Sequence, residues 1–138
     1  MSERYTTTFI ASPEHIDQLG HVNNGVWVQW MEELATAHWL AIAPAEHVAA
    51  YVWVVTRHEI DYRGNVSEGA EVSATTFIAE SPRGARFDRH YEFSDAENKV
   101  LVRARSTWAM IERASGKLMR VPAEVAAPFQ PEGGWVRL

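Results

Sequence analysis

The run His15-Ile16-Asp17-Gln18-Leu19-Gly20-His21-Val22-Asn23-Asn24-Gly25 gathers a carboxylate, two histidines, two asparagines and two glycines into eleven residues. A strongly apolar helical pattern, Val26 to Ile42, follows it directly. An acid placed this close ahead of a helix can face the positive end of that helix. There the unpaired backbone N–H groups and the helix dipole favour developing negative charge. The layout suits acyl transfer, with a carboxylate to attack or deprotonate and N–H donors to hold an oxyanion. Asn24, flanked by Asn23 and Gly25, is expected at the first turn, where its backbone N–H is the candidate oxyanion donor. Gly25 beside it lets a ligand approach the backbone closely. Plain N-capping is the alternative for the asparagines, and a loop aspartate holding backbone N–H groups is the alternative for Asp17.

The elements that must position these residues can be read from periodicity. Tyr5 to Ala11, rich in threonine and aromatics, reads as a first strand that Pro13 ends. From Val26 to Ile42 the apolar spacing is helical with an unusually wide apolar face, which predicts a helix wrapped by other structure. Pro44 stops it. Tyr51 to Tyr62, Ala70 to Glu80, Ala85 to Phe93 and Val100 to Ile111 then read as strands. Breaks fall at Arg63-Gly64-Asn65, Ser81-Pro82-Arg83-Gly84 and Asp95-Ala96-Glu97-Asn98. Pro122 to Ala127 reads as a short helix, and the Pro/Gly-rich stretch 128–138 as a loose tail. One strand, one long buried helix and four more antiparallel strands give an α+β architecture, a curved sheet wrapped around a central helix.

Residues 1–138 suit one domain large enough to bury a core. The net charge of −5, from 13 basic and 18 acidic residues, gives no general attraction to nucleic acid or to anionic membrane. With no cysteine, thiolate catalysis and cysteine-based zinc sites are excluded, and a reducing cytoplasm is the expected location. His15, Asp17 and His21 lack the spacing of a zinc protease and an evident further ligand, so no metal is expected. Nucleophile-elbow serine, Walker A and Rossmann signatures are absent.

The segment Asp17-Gln18-Leu19-Gly20-His21-Val22-Asn23-Asn24 resembles the D-x-x-G-H-V-N-N pattern of hotdog-fold acyl-CoA thioesterases, in the branch that includes 4-hydroxybenzoyl-CoA thioesterase. The likeness continues through Trp30 and Glu33, then Glu59-Ile60-Asp61-Tyr62 with Gly69, then Ala104-Arg105-Ser106-Thr107-Trp108. It departs at Trp27, where many relatives carry tyrosine, and at Arg63-Gly64-Asn65, where they carry proline. The resemblance implies the hotdog fold and a carboxylate, Asp17, that attacks the thioester carbonyl or activates a water. It adds His21 as a group that bonds the substrate carbonyl, orients Asp17 or simply satisfies the loop. Gly25, Trp27, Glu33 and Tyr62 are placed along the substrate channel. Glu33 could orient a water or a loop group, or be a buried glutamate with a structural partner, and Trp27 could equally be core.

Arg83, Arg86 and Arg89 flank the Pro82/Gly84 turn as candidates for the phosphates of coenzyme A, against the alternative of a solvated strand face. Arg63 is a comparable outsider. Hotdog proteins usually pair sheet edges into dimers, often tetramers, so the resemblance implies a homo-oligomer with its site at the subunit interface and no cofactor. The expected activity is hydrolysis of an acyl-CoA to free acid and CoA. Acyl carrier protein as the acyl carrier, or a non-catalytic acyl-thioester-binding module, are the rival readings.

Overall fold

The chain's five strands form one antiparallel sheet, seen here in a computed structural model that describes residues 4–136. They are β1 (Arg4–Ile10), β2 (Tyr51–Tyr62), β3 (Glu71–Phe77), β4 (Arg86–Ser94) and β5 (Val100–Glu112), with helices α1 (Asn24–Ile42), α2 (Ala45–Ala50) and α3 (Ala123–Ala126). The strand order is β1-β3-β4-β5-β2. The first two strands are therefore the two edges, and the chain between them must cross the whole sheet. That crossing is α1, laid over one face. The later strands fill the middle in sequence order, each pairing antiparallel with its neighbour.

The apolar stripe of α1 explains the crossing. Trp27, Trp30, Met31, Leu34, Ala35 and His38 are its buried residues, at the three- and four-residue spacing of a single helix face. They pack with Val72, Ala74, Tyr91, Phe93, Val102 and Ala104 of the sheet. Trp27 meets Trp30 and Phe93 edge-on at 5.2 and 5.3 Å between ring centroids. The helix is not wrapped on all sides, as its composition suggests it should be. Glu32, Glu33, Thr36 and Leu40 are exposed, Leu40 at 58%, because one sheet covers one face and nothing in the chain covers the other.

β2 is an edge strand with no fully buried residue. It carries a bulge between Val55 and Arg57 in its pairing with β5. The extra residue, Thr56, resets the alternation, so Tyr51 and Trp53 before it and Ile60 after it all pack against the core.

A second cluster, built on Ile78, Phe87, Met110, Val125 and Phe129, closes the far end of the sheet. It corrects the expectation of a loose tail from residue 128. Phe129 is 1% exposed and stacks on Trp39 at 5.8 Å, and Val136 donates its N–H to the carbonyl of Ala79. Burying two aromatic residues, Phe129 and the half-buried Trp135, outweighs the freedom its glycines and prolines would otherwise give it. Among the described residues no helix is long and apolar enough to cross a membrane.

His38 is fully buried between Tyr5 and Phe129. Burial, with Arg89 beside it, holds its imidazole down at about 3, from an ordinary 6.5. Since arginine is only a donor, the 2.8 Å bond from Arg89 Nη1 falls on an unprotonated Nδ1. The proton then sits on Nε2, which is buried without a partner. Below pH 6.5 the unfolded chain takes up a proton on His38 that the folded chain refuses until about pH 3, so this contribution to stability is present above pH 6.5 and lost as pH falls. Urea unfolding is expected to show about 1.4 kcal/mol less stability from this group at pH 5.5 than at pH 7.5. In His38→Gln that portion of the pH dependence should vanish, and an unchanged slope would show that His38 does not carry it.

Candidate active site

The loop ahead of α1 folds on itself. The N–H of Asp17 donates to the carbonyl of His21 at 2.8 Å, and the N–H of Gly20 donates to the carbonyl of Asp17 at 3.1 Å. Gly20 makes the reversal at a φ of 78°, where a side chain would be strained. The Oδ1 of Asp17 accepts from the N–H groups of Leu19 (2.9 Å) and His21 (3.2 Å). Its carboxylate thus spans its own turn through one oxygen, and Oδ2 has no partner among the described residues. The structural alternative for Asp17 is seen directly, but it occupies only half of the carboxylate.

Asn23 caps α1. Its N–H donates to the carbonyl of His15 at 2.9 Å, and its Oδ1 accepts from the N–H of Gly25 at 2.9 Å. Its carbonyl accepts from Val26. Helix formation therefore starts at Asn24, two residues ahead of the apolar pattern, because the cap rather than hydrophobicity sets the first turn. From Asp17 to Val26, the described bonds leave only the N–H groups of Gln18 and Asn24 without a partner in the chain. Asn24 is the one of these at the positive end of α1. Gly25 also has a tight neighbourhood, since an added Cβ would lie 3.3 Å from Asn23 Oδ1.

Asn65 holds this assembly to the sheet, and the sequence reading did not single it out. Its Oδ1 accepts from the N–H of Val22 (2.9 Å) and its Nδ2 donates to the carbonyl of Val22 (3.0 Å). The same Oδ1 accepts from the N–H of Val66. Val22 is fully buried, so both of its peptide groups need a partner in place of water. The Arg63-Gly64-Asn65 break is thus more than a turn. Its partner lies 43 residues away, and nothing local marks the contact.

The structure brings Asp17, His21, Asn23, Asn24 and Gly25 into one loop and helix start, and adds Tyr62, whose hydroxyl donates to the carbonyl of Asn24 at 3.4 Å. His21 is exposed with its ring unbonded within the chain. Trp27 is core: it is fully buried, with its Nε1 unpartnered. Glu33 is exposed, which removes the buried, partnered glutamate expected as one reading.

The arginines do not gather. Arg83 donates from Nη1 and Nη2 to the carboxylate of Asp88, at 3.1 and 3.2 Å. Arg105 and Thr107 bond the same carboxylate. Burial alone pushes that carboxyl up, but those hydrogen bonds outweigh it and hold it down at about 2. Arg89 is buried in the core face, which removes it from any phosphate patch. Arg86 is exposed, near the end of the sheet where β2 starts, through the shared partner Ala109 of Val54. Asn24 lies by Tyr62, where β2 ends. Among the described residues no three His, Asp or Glu side chains come together as metal ligands.

An apolar groove of about 260 Å³ lies beside the second half of α1, between Thr36, Trp39 and Leu40 on one side and Tyr51, Val52 and Trp53 on the other. At 1.5 Å per residue, Thr36 is roughly 18 Å along the helix from Asn24. One chain therefore carries the acid with its donor, and the groove, at opposite ends of α1.

A family model described as the thioesterase-like superfamily matches residues 11–129. Among curated proteins, the chloroplast acyl-[acyl-carrier-protein] hydrolase FATB3 of Cuphea viscosissima is 31% identical over 81 residues, which is 58% of this chain and 19% of that protein. The chain thus spans about a fifth of that relative's length. In structure, the chain is similar to a 1,4-dihydroxy-2-naphthoyl-CoA thioesterase from Synechocystis, with a TM-score of 0.74 and 21% identity, covering 91% of this chain and 95% of that one. It is similar also to an acyl-ACP thioesterase from Bacteroides thetaiotaomicron, with a TM-score of 0.81 and 24% identity, covering 100% of this chain and 59% of that one. The sheet and its crossing helix are the hotdog arrangement of these structures.

Replacing Asn65 with alanine strips two buried peptide groups of their partner. It is expected to cost about 1–3 kcal/mol, read as a lower midpoint in urea. Asn65→Asp keeps the acceptor for Val22 and Val66 N–H but loses the donor to the Val22 carbonyl, and should fall between. Equal stability of Asn65→Ala and the parent would show that the clamp is not holding the loop.

Proposed function

The chain belongs to the thioesterase-like superfamily, and on that footing we propose that it hydrolyses an acyl-CoA to the free acid and CoA. The observation that carries the reading is the pairing of a half-free carboxylate, Asp17, with an unpartnered N–H, Asn24, at the positive end of one helix. The thioester carbonyl oxygen is placed on the Asn24 N–H, which strengthens its bond as the oxygen becomes an oxyanion. In one route Asp17 attacks the carbonyl carbon and expels the CoA thiolate, leaving a mixed anhydride that water then hydrolyses to the acid. In the other it takes a proton from a water that attacks the carbon directly, and returns it to the departing thiolate. His21, exposed beside Asp17, is assigned to the carbonyl or the leaving group. Neither route needs a metal or an organic cofactor.

The acyl group belongs in the apolar groove, which supports a homo-oligomeric site. α1 runs against β2, with Asn24 at the Tyr62 end and the groove at the Tyr51 end. The outer edge of β2 is unpaired in the chain, and antiparallel pairing of two such edges about a two-fold near mid-strand sets one chain's Asn24 beside the partner's groove. Each site then takes its acid and donor from one chain and its acyl pocket from the other. Trp27 and Glu33 have no part in it. Of the three arginines expected at the CoA phosphates only Arg86 is kept, since Asp88 occupies the guanidinium of Arg83 and Arg89 is buried. That leaves too small a basic surface to favour an acidic carrier protein, so CoA is preferred as the carrier, in the cytoplasm.

Two substitutions test the chemistry. Asp17→Asn should lower CoA release from acyl-CoA substrates a hundredfold or more with folding intact. Asn24→Pro removes the donor alone, because proline fits the first helical position and the extended backbone of Asn23 (φ −63°, ψ 143°) tolerates a following proline. It should cost about 2.7–4 kcal/mol in the barrier, read as a drop in kcat with little change in melting temperature. Unchanged turnover in both variants would overturn the mechanism. Turnover of acyl-ACP but of no acyl-CoA would overturn the carrier.

A further inference from the structure

Arg89 is 6% exposed and forms part of the wall of the groove. Its partners are neutral. Nη1 donates to His38 Nδ1 at 2.8 Å and to Thr76 Oγ1 at 3.1 Å, and the imidazole is held uncharged by burial. Nε and Nη2 have no partner among the described residues, and no carboxylate pairs with the guanidinium. Burial holds its pKa down at about 10, so it is still a cation at neutral pH. An unpaired charge in an apolar site is costly, and one partner is normally supplied to it.

A pocket walled by aromatic rings, with guanidinium donors that no described group answers, calls for an anion. Elsewhere in the molecule the buried arginine-facing carboxylate, Asp88, is fully satisfied by its own side of the sheet. The volume, about 260 Å³, falls just below the roughly 300–1,000 Å³ of ordinary ligand pockets, which favours a compact occupant over a long chain.

We propose that the groove is a carboxylate-binding acyl pocket. The substrate is a thioester of a compact acid whose far end carries a second carboxylate, held by Arg89. The inference rests on the thioesterase reading for the substrate but not for the pocket.

The test compares kcat/KM for two matched pairs, adipoyl-CoA against hexanoyl-CoA and 4-carboxybenzoyl-CoA against 4-methylbenzoyl-CoA. The parent should favour the carboxylate member of at least one pair tenfold or more. Arg89→Met should abolish or reverse that preference, and Arg89→Lys, which keeps the charge and loses the fork, should narrow it. If Arg89→Met does not fold, the parent's preference and the Arg89→Lys ratio decide. Turnover that favours the methyl members, or ratios unmoved by both variants, would overturn the inference and leave the thioesterase reading standing. If the parent turns over none of the four, calorimetry with benzoate against benzamide separates the two ideas. Benzoate binding that is lost in Arg89→Lys or Arg89→Met keeps the pocket and counts against CoA thioesters of these acids as substrates. No preference for benzoate sinks the pocket.

Discussion

The peptide of Val22 is the point on which the candidate site hangs. The Val22 side chain is fully buried, so the chain cannot leave its N–H and carbonyl to water, and one side chain, Asn65, meets both. That bond ties the loop ahead of α1 to the turn after β2. The Asn23 cap follows one residue later, and the helix must start at Asn24. Every other N–H near the loop is then spent on the loop itself, apart from Gln18. The donor at the head of the helix is left open because its neighbours are closed.

The same economy governs Asp17. A carboxylate used wholly to hold its turn could do no chemistry, and one held by nothing would not be positioned. Here Oδ1 takes two backbone N–H groups and Oδ2 takes none. The turn fixes the direction of the second oxygen at the cost of the first. Structural and proposed chemical roles, which look like rivals in the sequence, can thus fall to two different atoms of one side chain. Asn23 and Asn24 divide theirs in the same way, the side chain of one capping the helix and the backbone of the next remaining free.

How much of this was legible in the sequence depended on the range of the interaction. The ends of β2 are legible because a twelve-residue run with eight β-branched or aromatic residues lies between a proline-marked helix stop and a glycine turn. The loop motif was legible because its residues are adjacent. Asn65 was not, since its partner is 43 residues away and an asparagine after glycine reads as any other turn. Arg89 was misplaced for an avoidable reason. It shares the alternation of Phe87 and Tyr91, and parity alone puts it on the core face, yet its charge suggested a surface. The wide apolar surface of α1 was read correctly as composition and wrongly as burial, because a single chain supplies only one covering sheet.

That uncovered surface and the buried arginine are two sides of one problem. An isolated chain exposes Leu40 and Val54 near one end of a sheet edge, and it holds a cation in a pocket with no counter-charge. In the proposed pairing, a second copy along β2 would relieve the apolar exposure. Within its own chain the cation meets only neutral hydrogen-bond partners, His38 and Thr76. What enters the groove must therefore be apolar along its length and anionic at its tip, which is the shape of a small acid with a second acidic end. The fold sets no acyl group by itself, so on the proposed reading specificity rests with residues such as Arg89 that the motif does not contain.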